Sequence, residues 1–315
     1  MKIKGAFYVC VFSMTVLLGI VNDIVADTNV SGYISSDTTW TQANSPYIAI
    51  GNIIIRSGVT LTIEHGVTIK FNSGKSLQID GTLIAKGTDK GNITFTSSAN
   101  DKWGYILFND SSTDTAYDND GNYIGGSILE YCVVEYAGGS SIENNGAVRM
   151  DNAHPFINYC TIRNNSASGI YAWNLSGTLK IKNNTISNNT ASDGGGIYTS
   201  GGTVIISDNT ISNNTASASG GGIYSSSTVT ISGNTISNNT ATSSGGGIYS
   251  YSSSVSISGN TISNNTALTT GGGIYYSSFG YYPSSVSISG NTISNNTASS
   301  TGGGIYSYSN HYSSS

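Results

Sequence analysis

Hydrophobic and polar residues alternate in short runs along most of the chain, and each run ends at Gly, Asn or Ser. Stretches such as TVIIS (203–207) and TISNN (210–214) place aliphatic residues at every second position. A period of two is typical of β-strands, and none of these runs has the length or the 3.6-residue period of a helix. The pattern therefore predicts an all-β chain of short strands.

The strands belong to an internal repeat. GGGIY begins at residues 194, 220, 245, 271 and 302, and NTISNNTA begins at residues 184, 209, 234, 260 and 291. An insertion at 276–283 accounts for the one long step. Three short strands cannot bury an apolar face alone, so the repeats must stack as coils of a solenoid. We predict a right-handed parallel β-helix with three short strands per coil and about nine or ten coils.

The alternation also assigns residues to the inside or the outside of each coil. Val204, Ile206, Ile211 and Ile223 are predicted to point inward, whereas Tyr224 and its equivalents point outward. Asparagines at the corners are expected to form two columns whose amides bond the neighbouring coils. The first column is Asn184, Asn209, Asn234, Asn260 and Asn291, and the second is Asn188, Asn213, Asn238, Asn264 and Asn295.

Composition divides the chain into three parts. Residues 1–26 combine two lysines with an apolar run, which predicts a signal peptide that is removed, rather than a membrane anchor. Residues 27–183 carry nearly all the charge and are predicted to form an N-terminal cap and degenerate coils. Residues 184–315 form the regular coils, which we expect to continue beyond the given sequence. The protein is thus expected to be secreted or on the cell surface, with no transmembrane segment after cleavage.

Charge and cysteine content narrow the choice of partners. Without residues 1–26, the net charge of −5 becomes −6, because two lysines and one aspartate are lost. This acidic balance argues against nucleic acid as a partner, and we expect a monomer. Cys132 and Cys160 lie one coil apart, so they either form a disulfide or stack as buried, unpaired thiols. Two cysteines without nearby histidines are too few ligands for zinc.

The repeat blocks resemble those of the pectin-lyase-like superfamily of right-handed β-helix proteins. GGGI followed by ISNN is similar to the tetrapeptides of polymorphic outer-membrane protein repeats, although Gly196 and Ile186 stand where Ala and Phe are usual. The opening coils at 57–87 and WGYILF at 103–108 also look like those of many secreted β-helix proteins. The resemblance implies a fold, but the superfamily holds lyases, hydrolases, epimerases, adhesins and scaffolds.

Three functions remain open. A structural or adhesive protein could bind sugar or a partner through an outward tyrosine column, although stacked tyrosines also stabilise coil against coil. That column is Tyr198, Tyr224, Tyr249, Tyr275 and Tyr306. A polysaccharide lyase or hydrolase would need clustered carboxylates and bases, and Asp151, His154 and Arg163 are the candidates that could converge. The other candidates are Glu130, Glu135, Arg149, Lys180 and Lys182. Glu135 and Arg163 are expected at equivalent outward positions on neighbouring coils, where they could instead form a surface ion pair. An ice-binding protein could use outward Thr-x-Ser columns such as Thr210 and Ser212.

Two further features bear on ligands and modification. The acidic insertion at 109–123 holds Asp110, Asp114, Asp118 and Asp120, and Asp114, Asp118 and Asp120 are candidate calcium ligands. A flexible acidic loop is the alternative, and we expect no other cofactor. N-glycosylation sequons recur with the repeat, as at 188–190 and 213–215, so the coils could carry glycans.

Overall fold

The computed structural model describes residues 27–99, 101–139, 146–252, 254–280 and 285–311. One short 3₁₀ helix, Gln42–Asn44, lies among 34 strands in this part of the chain. The first strands, in chain order, are β1 (Thr28–Ile34), β2 (Thr38–Trp40), β3 (Tyr47–Ile55), β4 (Thr60–Ile63), β5 (Thr68–Phe71), β6 (Leu77–Ile79), β7 (Thr82–Lys86), β8 (Ile93–Ser97), β9 (Ile106–Phe108), β10 (Ala116–Tyr117), β11 (Tyr123–Gly125), β12 (Ile128–Glu130), β13 (Cys132–Glu135), β14 (Gly146–Asp151), β15 (Phe156–Asn158), β16 (Thr161–Arg163) and β17 (Ser168–Lys182). The remaining strands are β18 (Thr185–Ser187), β19 (Thr190–Ala191), β20 (Ile197–Ser207), β21 (Thr210–Ser212), β22 (Thr215–Ala216), β23 (Ile223–Ser232), β24 (Thr235–Ser237), β25 (Thr240–Ala241), β26 (Ile248–Tyr251), β27 (Ser254–Ser258), β28 (Thr261–Ser263), β29 (Thr266–Ala267), β30 (Ile274–Gly280), β31 (Ser285–Ser289), β32 (Thr292–Ser294), β33 (Thr297–Ala298) and β34 (Ile305–His311).

The strands wind into a parallel solenoid of about nine turns, so the predicted architecture is confirmed. Each coil crosses three faces, which we call A, B and C. Face A runs through β4, β7, β12, β15, the second halves of β17, β20 and β23, and then β27 and β31. Face B runs through β5, β8, β13, β16, β18, β21, β24, β28 and β32. Face C runs through β6, β9, β14, the first halves of β17, β20 and β23, and then β26, β30 and β34.

The core is a set of aliphatic columns inside the coils. Ile186 pairs in register with Ile211, which pairs with Ile236, and all three are fully buried. Val204, Ile206 and Ile223 are buried as predicted, because alternate side chains of a strand point to opposite faces. The stack also continues through residue 183: β16 pairs with β18 across the change from degenerate to regular repeats.

Two asparagine ladders close the corners, and the prediction was right for one and wrong by one residue for the other. The predicted first column is buried except at its last member, Asn291, which is half-buried. Each Asn Oδ1 accepts a hydrogen bond from the backbone N–H of the preceding coil, as in Asn184 N to Asn209 Oδ1 at 2.8 Å. The second ladder, however, consists of the buried residues Asn165, Asn189, Asn214, Asn239 and Asn265 and of the half-buried Asn296. The predicted residues Asn188 and its equivalents are exposed at the corner with φ of 54–57°, because the left-handed backbone turns them outward.

Cys132 and Cys160 are both buried and free, so the unpaired alternative holds in the structure. Each thiol donates to backbone carbonyls: Cys132 Sγ lies 3.4 Å from Glu130 O, and Cys160 Sγ lies 3.3 Å from Leu129 O. Burial raises the pKa of the Cys132 thiol well above its usual value, which keeps it protonated.

Two predicted segments lie wholly or partly outside the described residues. The signal peptide assigned to residues 1–26 is one, and 281–283 of the 276–283 insertion is the other. Across the described ranges, the structure contains no helix with the length and apolar character needed to cross a membrane.

Candidate functional site

The regular coil is interrupted between β9 and β12 by residues 109–127, whose antiparallel strands β10 and β11 form a hairpin, residues 116–125. The base of this insertion is fastened to the next coil. Thr115 N donates to His154 O at 3.1 Å, and Thr115 Oγ1 donates to Ser127 O at 2.7 Å. The hairpin therefore has a fixed position at the edge of face A.

His154 is the main anchor of the insertion. Its Nδ1 lies 3.0 Å from Asp114 Oδ2, its backbone N–H donates to Asp114 Oδ1 at 2.8 Å, and its Nε2 accepts from Gly177 N at 3.0 Å. Because Nε2 accepts a backbone hydrogen bond, the ring proton must lie on Nδ1 and point to the carboxylate. Both ring nitrogens are thus occupied, and the residue is only 8% exposed. This arrangement holds the loop and leaves no ring nitrogen for proton transfer to a substrate.

Aromatic and cationic side chains hold the hairpin over face A. Phe156 contacts the Tyr117 ring edge-on at 5.6 Å and the Tyr123 ring in a stacked geometry at 6.5 Å. The Lys180 ammonium lies 3.5 Å from the centre of the Tyr117 ring, which places a cation over a π face. Burial raises the pKa of Tyr117, so the phenol remains neutral beside this lysine.

A cleft of about 500 Å³ lies between the tip of the hairpin and face A. It is lined by hairpin residues 120–123 and, from the coils, by Glu130, Phe156, Asn158, Tyr159, Lys180, Lys182, Asn183, Ile205 and Ser207. Its volume falls within the range of small-molecule sites, and its wall mixes aromatic rings with amides and charged groups, as such sites do. We call it the hairpin cleft.

The floor of the hairpin cleft is a connected polar row along the coil stack. Glu130 Oε1 accepts from Asn158 Nδ2 at 2.9 Å, and Glu130 Oε2 lies 3.6 Å from Lys86 Nζ. Asn158 Oδ1 in turn accepts from Asn183 Nδ2 at 3.0 Å. Tyr159 stacks on Tyr131 at 4.9 Å and is 47% exposed. The row therefore presents fixed hydrogen-bonding groups beside an accessible aromatic ring.

The predicted catalytic residues do not converge. His154 serves the insertion, and Asp151 accepts a hydrogen bond from Asn174 Nδ2 at 3.0 Å at the end of face C. Arg163 lies on face B, where its Nε contacts Glu135 Oε2 at 3.0 Å. The predicted neighbouring placement of Glu135 and Arg163 is confirmed as an ion pair at the surface, where such pairs contribute little stability.

The candidate calcium ligands are also separated by the hydrogen bonds they make. Asp114 is turned toward His154, whereas Asp118 accepts from Asn122 N at 2.8 Å and from Asp120 N at 3.0 Å. These bonds close the hairpin turn and hold the pKa of Asp118 below its usual value, the Asn122 side chain being the largest cause. In the described ranges, no three His, Cys, Asp or Glu side chains are grouped so that they could hold a metal ion.

The tyrosine column forms as predicted and starts one coil earlier, at Tyr171. Its rings stack face to face, with centres 4.2 Å apart for Tyr171 and Tyr198 and 4.7–5.3 Å apart for the later pairs. Each internal ring has both faces covered by its neighbours, so a sugar cannot stack on it. Ligand binding by this column stays a prediction, and a ligand could contact only the ring edges, the hydroxyls and the terminal rings.

The threonine and serine columns lie in register on face B. Thr185 pairs with Thr210 and Thr235, and Ser187 pairs with Ser212 and Ser237. The threonines are exposed and the serines are half-buried. This arrangement is the flat array that the ice-binding hypothesis requires, and binding to ice stays a prediction.

The sequence did not predict the hairpin cleft, although three of its lining residues, Glu130, Lys180 and Lys182, are among the enzyme candidates. The available signals were an insertion into the repeat and two outward lysines, Lys180 and Lys182, at the border of the nearly uncharged half. The sequence does not predict the path of the insertion, because Asp114 and His154, which form a hydrogen bond in the structure, are 40 residues apart.

Comparisons with known proteins bear on the fold. A family model described as "Right handed beta helix region" matches residues 142–315. A stretch of 69 residues is 44% identical to the Drosophila melanogaster protein named "Protein bark beetle". That match covers 22% of this chain and 2% of the fly protein, so it spans only a small part of its relative. No solved structure matches the chain significantly.

Proposed function

Because the chain belongs to the right-handed β-helix family, we propose that it uses the coil stack as a rigid scaffold to bind carbohydrate outside the cytoplasm. The proposed binding site is the hairpin cleft, and the proposed role is adhesive or structural. The observation that carries the proposal is the cleft itself, which places an accessible tyrosine, two lysines and fixed amides around about 500 Å³.

Carbohydrate suits this wall for two physical reasons. A sugar ring offers an apolar face to an aromatic side chain and a rim of hydroxyls to amides and charged groups. The hairpin cleft supplies the aromatic ring through Tyr159 and the hydrogen-bonding groups through Asn158, Asn183 and Lys182. A hollow of about 360 Å³ at the corner of β20, β23 and β26 is less suitable, because its wall of Gly, Ser and Thr includes one aromatic residue, Tyr251, and no charged group.

The hairpin cleft has two carboxylates, Asp120 on the hairpin and Glu130 on the floor, and the contacts of Glu130 favour binding without cleavage. Glycoside hydrolysis normally requires two carboxyl groups that flank the scissile bond, one of them protonated. Glu130 is instead held as an acceptor between Lys86 and Asn158. A polysaccharide lyase or hydrolase is the alternative, and release of reducing or unsaturated sugar ends in the following test would support it.

The test is affinity electrophoresis of the full chain through a panel of neutral and acidic polysaccharides, together with assays for reducing and unsaturated ends. Two variants perturb the cleft with residues that the repeat itself accepts. Tyr159→Gly introduces the residue that a later coil carries as Gly233, and both positions have positive φ. Lys180→Thr introduces the residue found in register at Thr230. Lys70→Thr on face B is the matched control.

We expect the wild-type chain to bind polysaccharide without releasing sugar ends. Each cleft variant should lower the affinity roughly tenfold, since one aromatic or charged contact contributes about 0.5–3 kcal/mol, and the control should leave the affinity unchanged. Equal binding by wild type, Tyr159→Gly and Lys180→Thr would show that the cleft is not the site. Release of sugar ends would replace the adhesive role with an enzymatic one. Absence of binding across the whole panel would contradict the proposal altogether.

A further inference from the structure

The sequence Asn-Asn-Thr recurs at one corner of the coils between faces B and C, and the structure gives its two asparagines opposite roles. The second asparagine forms the buried ladder, as in Asn189 and Asn214. The first is exposed, has positive φ and is followed two residues later by a strand threonine. These first asparagines are Asn188, Asn213, Asn238, Asn264 and Asn295.

The side chains of these five asparagines are free. Within the described residues, no hydrogen bond joins any of their side-chain amides to another group, whereas the sequon asparagines Asn174 and Asn183 have side-chain partners. Asn174 Nδ2 donates to Asp151 at 3.0 Å, and Asn183 Nδ2 donates to Asn158 at 3.0 Å. A substituent on Asn183 would displace the polar row of the hairpin cleft, whereas a substituent on Asn213 would extend into solvent from a left-handed corner.

We propose that these five asparagines are acceptors for N-linked oligosaccharide and that neighbouring coils of one molecule are not occupied together. In the transfer, the Nδ2 lone pair forms a C–N bond to the anomeric carbon of a polyprenyl-diphosphate-linked oligosaccharide. The C–O bond to the diphosphate breaks, its electron pair leaves with the lipid diphosphate, and the nitrogen loses one proton to a base of the transferase. Asn-x-Thr is the acceptor sequence that this chemistry uses.

The limit on neighbouring coils follows from the spacing of the stack. Stacked tyrosine rings on face C measure this spacing at 4.7–4.9 Å from Tyr198 to Tyr275. That distance is about the width of a single sugar ring, and an N-linked core is broader and branched. Glycans on alternate coils have twice the spacing. At most three of the five acceptors, such as Asn188, Asn238 and Asn295, can therefore be occupied in one folded molecule.

The experiment uses the full chain secreted from a eukaryotic cell line. Peptide-N-glycosidase in heavy-oxygen water converts each occupied Asn to a labelled Asp, which mass spectrometry locates. Trypsin cannot separate the coils, because residues 184–315 contain no Lys or Arg. Chymotrypsin can, because a column tyrosine lies between successive acceptors from Tyr198 to Tyr275. Partial digestion before glycan release provides peptides that span two coils.

We expect label at the five acceptors and no two-coil peptide that carries two glycans. The double variant Thr215→Val with Thr266→Val removes the sequons of Asn213 and Asn264, so occupancy of Asn238 should rise, by up to about twofold if alternate coils compete. Thr210→Val with Thr261→Val is the matched control, because neither threonine completes a sequon. Secreted protein without label at any of the five sites, or with glycans on neighbouring coils of one peptide, would overturn the proposal.

Discussion

The buried ladder at Asn239 provides the sharpest test of how the coils are held together. Asn239 Nδ2 donates to Ile211 O at 2.9 Å and to Asn265 Oδ1 at 3.0 Å. Its Oδ1 accepts from Asn214 N and from Asn214 Nδ2, both at 3.0 Å. Asn239→Ala removes all four hydrogen bonds at a position that is fully buried.

The expected loss is about 4 kcal/mol, because each hydrogen bond contributes about 1 kcal/mol net and a buried donor left without a partner adds its desolvation cost. The matched control is Asn238→Gly at the adjacent residue. Asn238 is exposed with φ of 57°, a conformation that glycine adopts without strain, so the free energy of unfolding should change by less than about 0.5 kcal/mol.

Urea unfolding followed by far-UV circular dichroism measures the free energy of unfolding of both variants. Solenoids can open locally, so amide hydrogen exchange at Asn214 is measured as well. Its backbone N–H loses its partner in Asn239→Ala and should exchange faster, whereas it should be unchanged in Asn238→Gly. Similar losses of unfolding free energy in the two variants, or a loss below about 1 kcal/mol for Asn239→Ala, would refute the assignment of Asn239 to the buried ladder and of Asn238 to the exposed corner.

Further outcomes follow from other positions in the stack. Ile236→Asp should cost several kcal/mol, because it places an unpaired charge in a fully buried column, and thermal melting should show this loss while exposed Thr235→Asp has little effect. Burial raises the pKa of Tyr224 to about 12. The pKa of tyrosine in the unfolded chain is about 10. The melting temperature should therefore not depend on ionisation of the tyrosine column below pH 10, and it should fall as the pH rises through 12. Absorbance at 295 nm should show that Tyr224 ionises at higher pH than a free tyrosine. Chelation with EDTA should leave the melting temperature unchanged, because Asp114 and Asp118 already bond His154 and the hairpin turn; a clear drop would restore the calcium hypothesis.

The sequence predicts the coils well because stacking translates directly into periodicity. Ile211 and Ile236 are buried for the same reason that they recur, and a period of two assigns their faces. The ladder was harder to predict, because Asn188 and Asn189 are identical residues at the same corner. Which of them points inward depends on the positive φ of Asn188, a backbone property that residue type alone does not determine.

The contacts that build the site depend on the insertion rather than on the repeat. Nothing in the spacing of Asp114 and His154 indicates that they pair, since one lies in the insertion and the other follows β14. The three candidate catalytic residues, Asp151, His154 and Arg163, are close in sequence. In a solenoid, however, residues 9–12 positions apart usually lie on different faces, and Arg163 is accordingly on face B while Asp151 ends face C.

This separation has a physical cause that applies along the whole stack. A repeated position must suit stacking on an identical neighbour, so it favours Ile, Asn, Tyr, Thr and Gly and disfavours charge, since like charges at the coil spacing repel. Charged groups can therefore gather only where the repeat is broken. Lys180 shows this directly, because its register partners in the following coils are Ile205 and Thr230, and its ammonium is placed over the ring of Tyr117, a residue of the insertion. The regular coils thus provide length and rigidity, and recognition should be sought at the insertion that interrupts them.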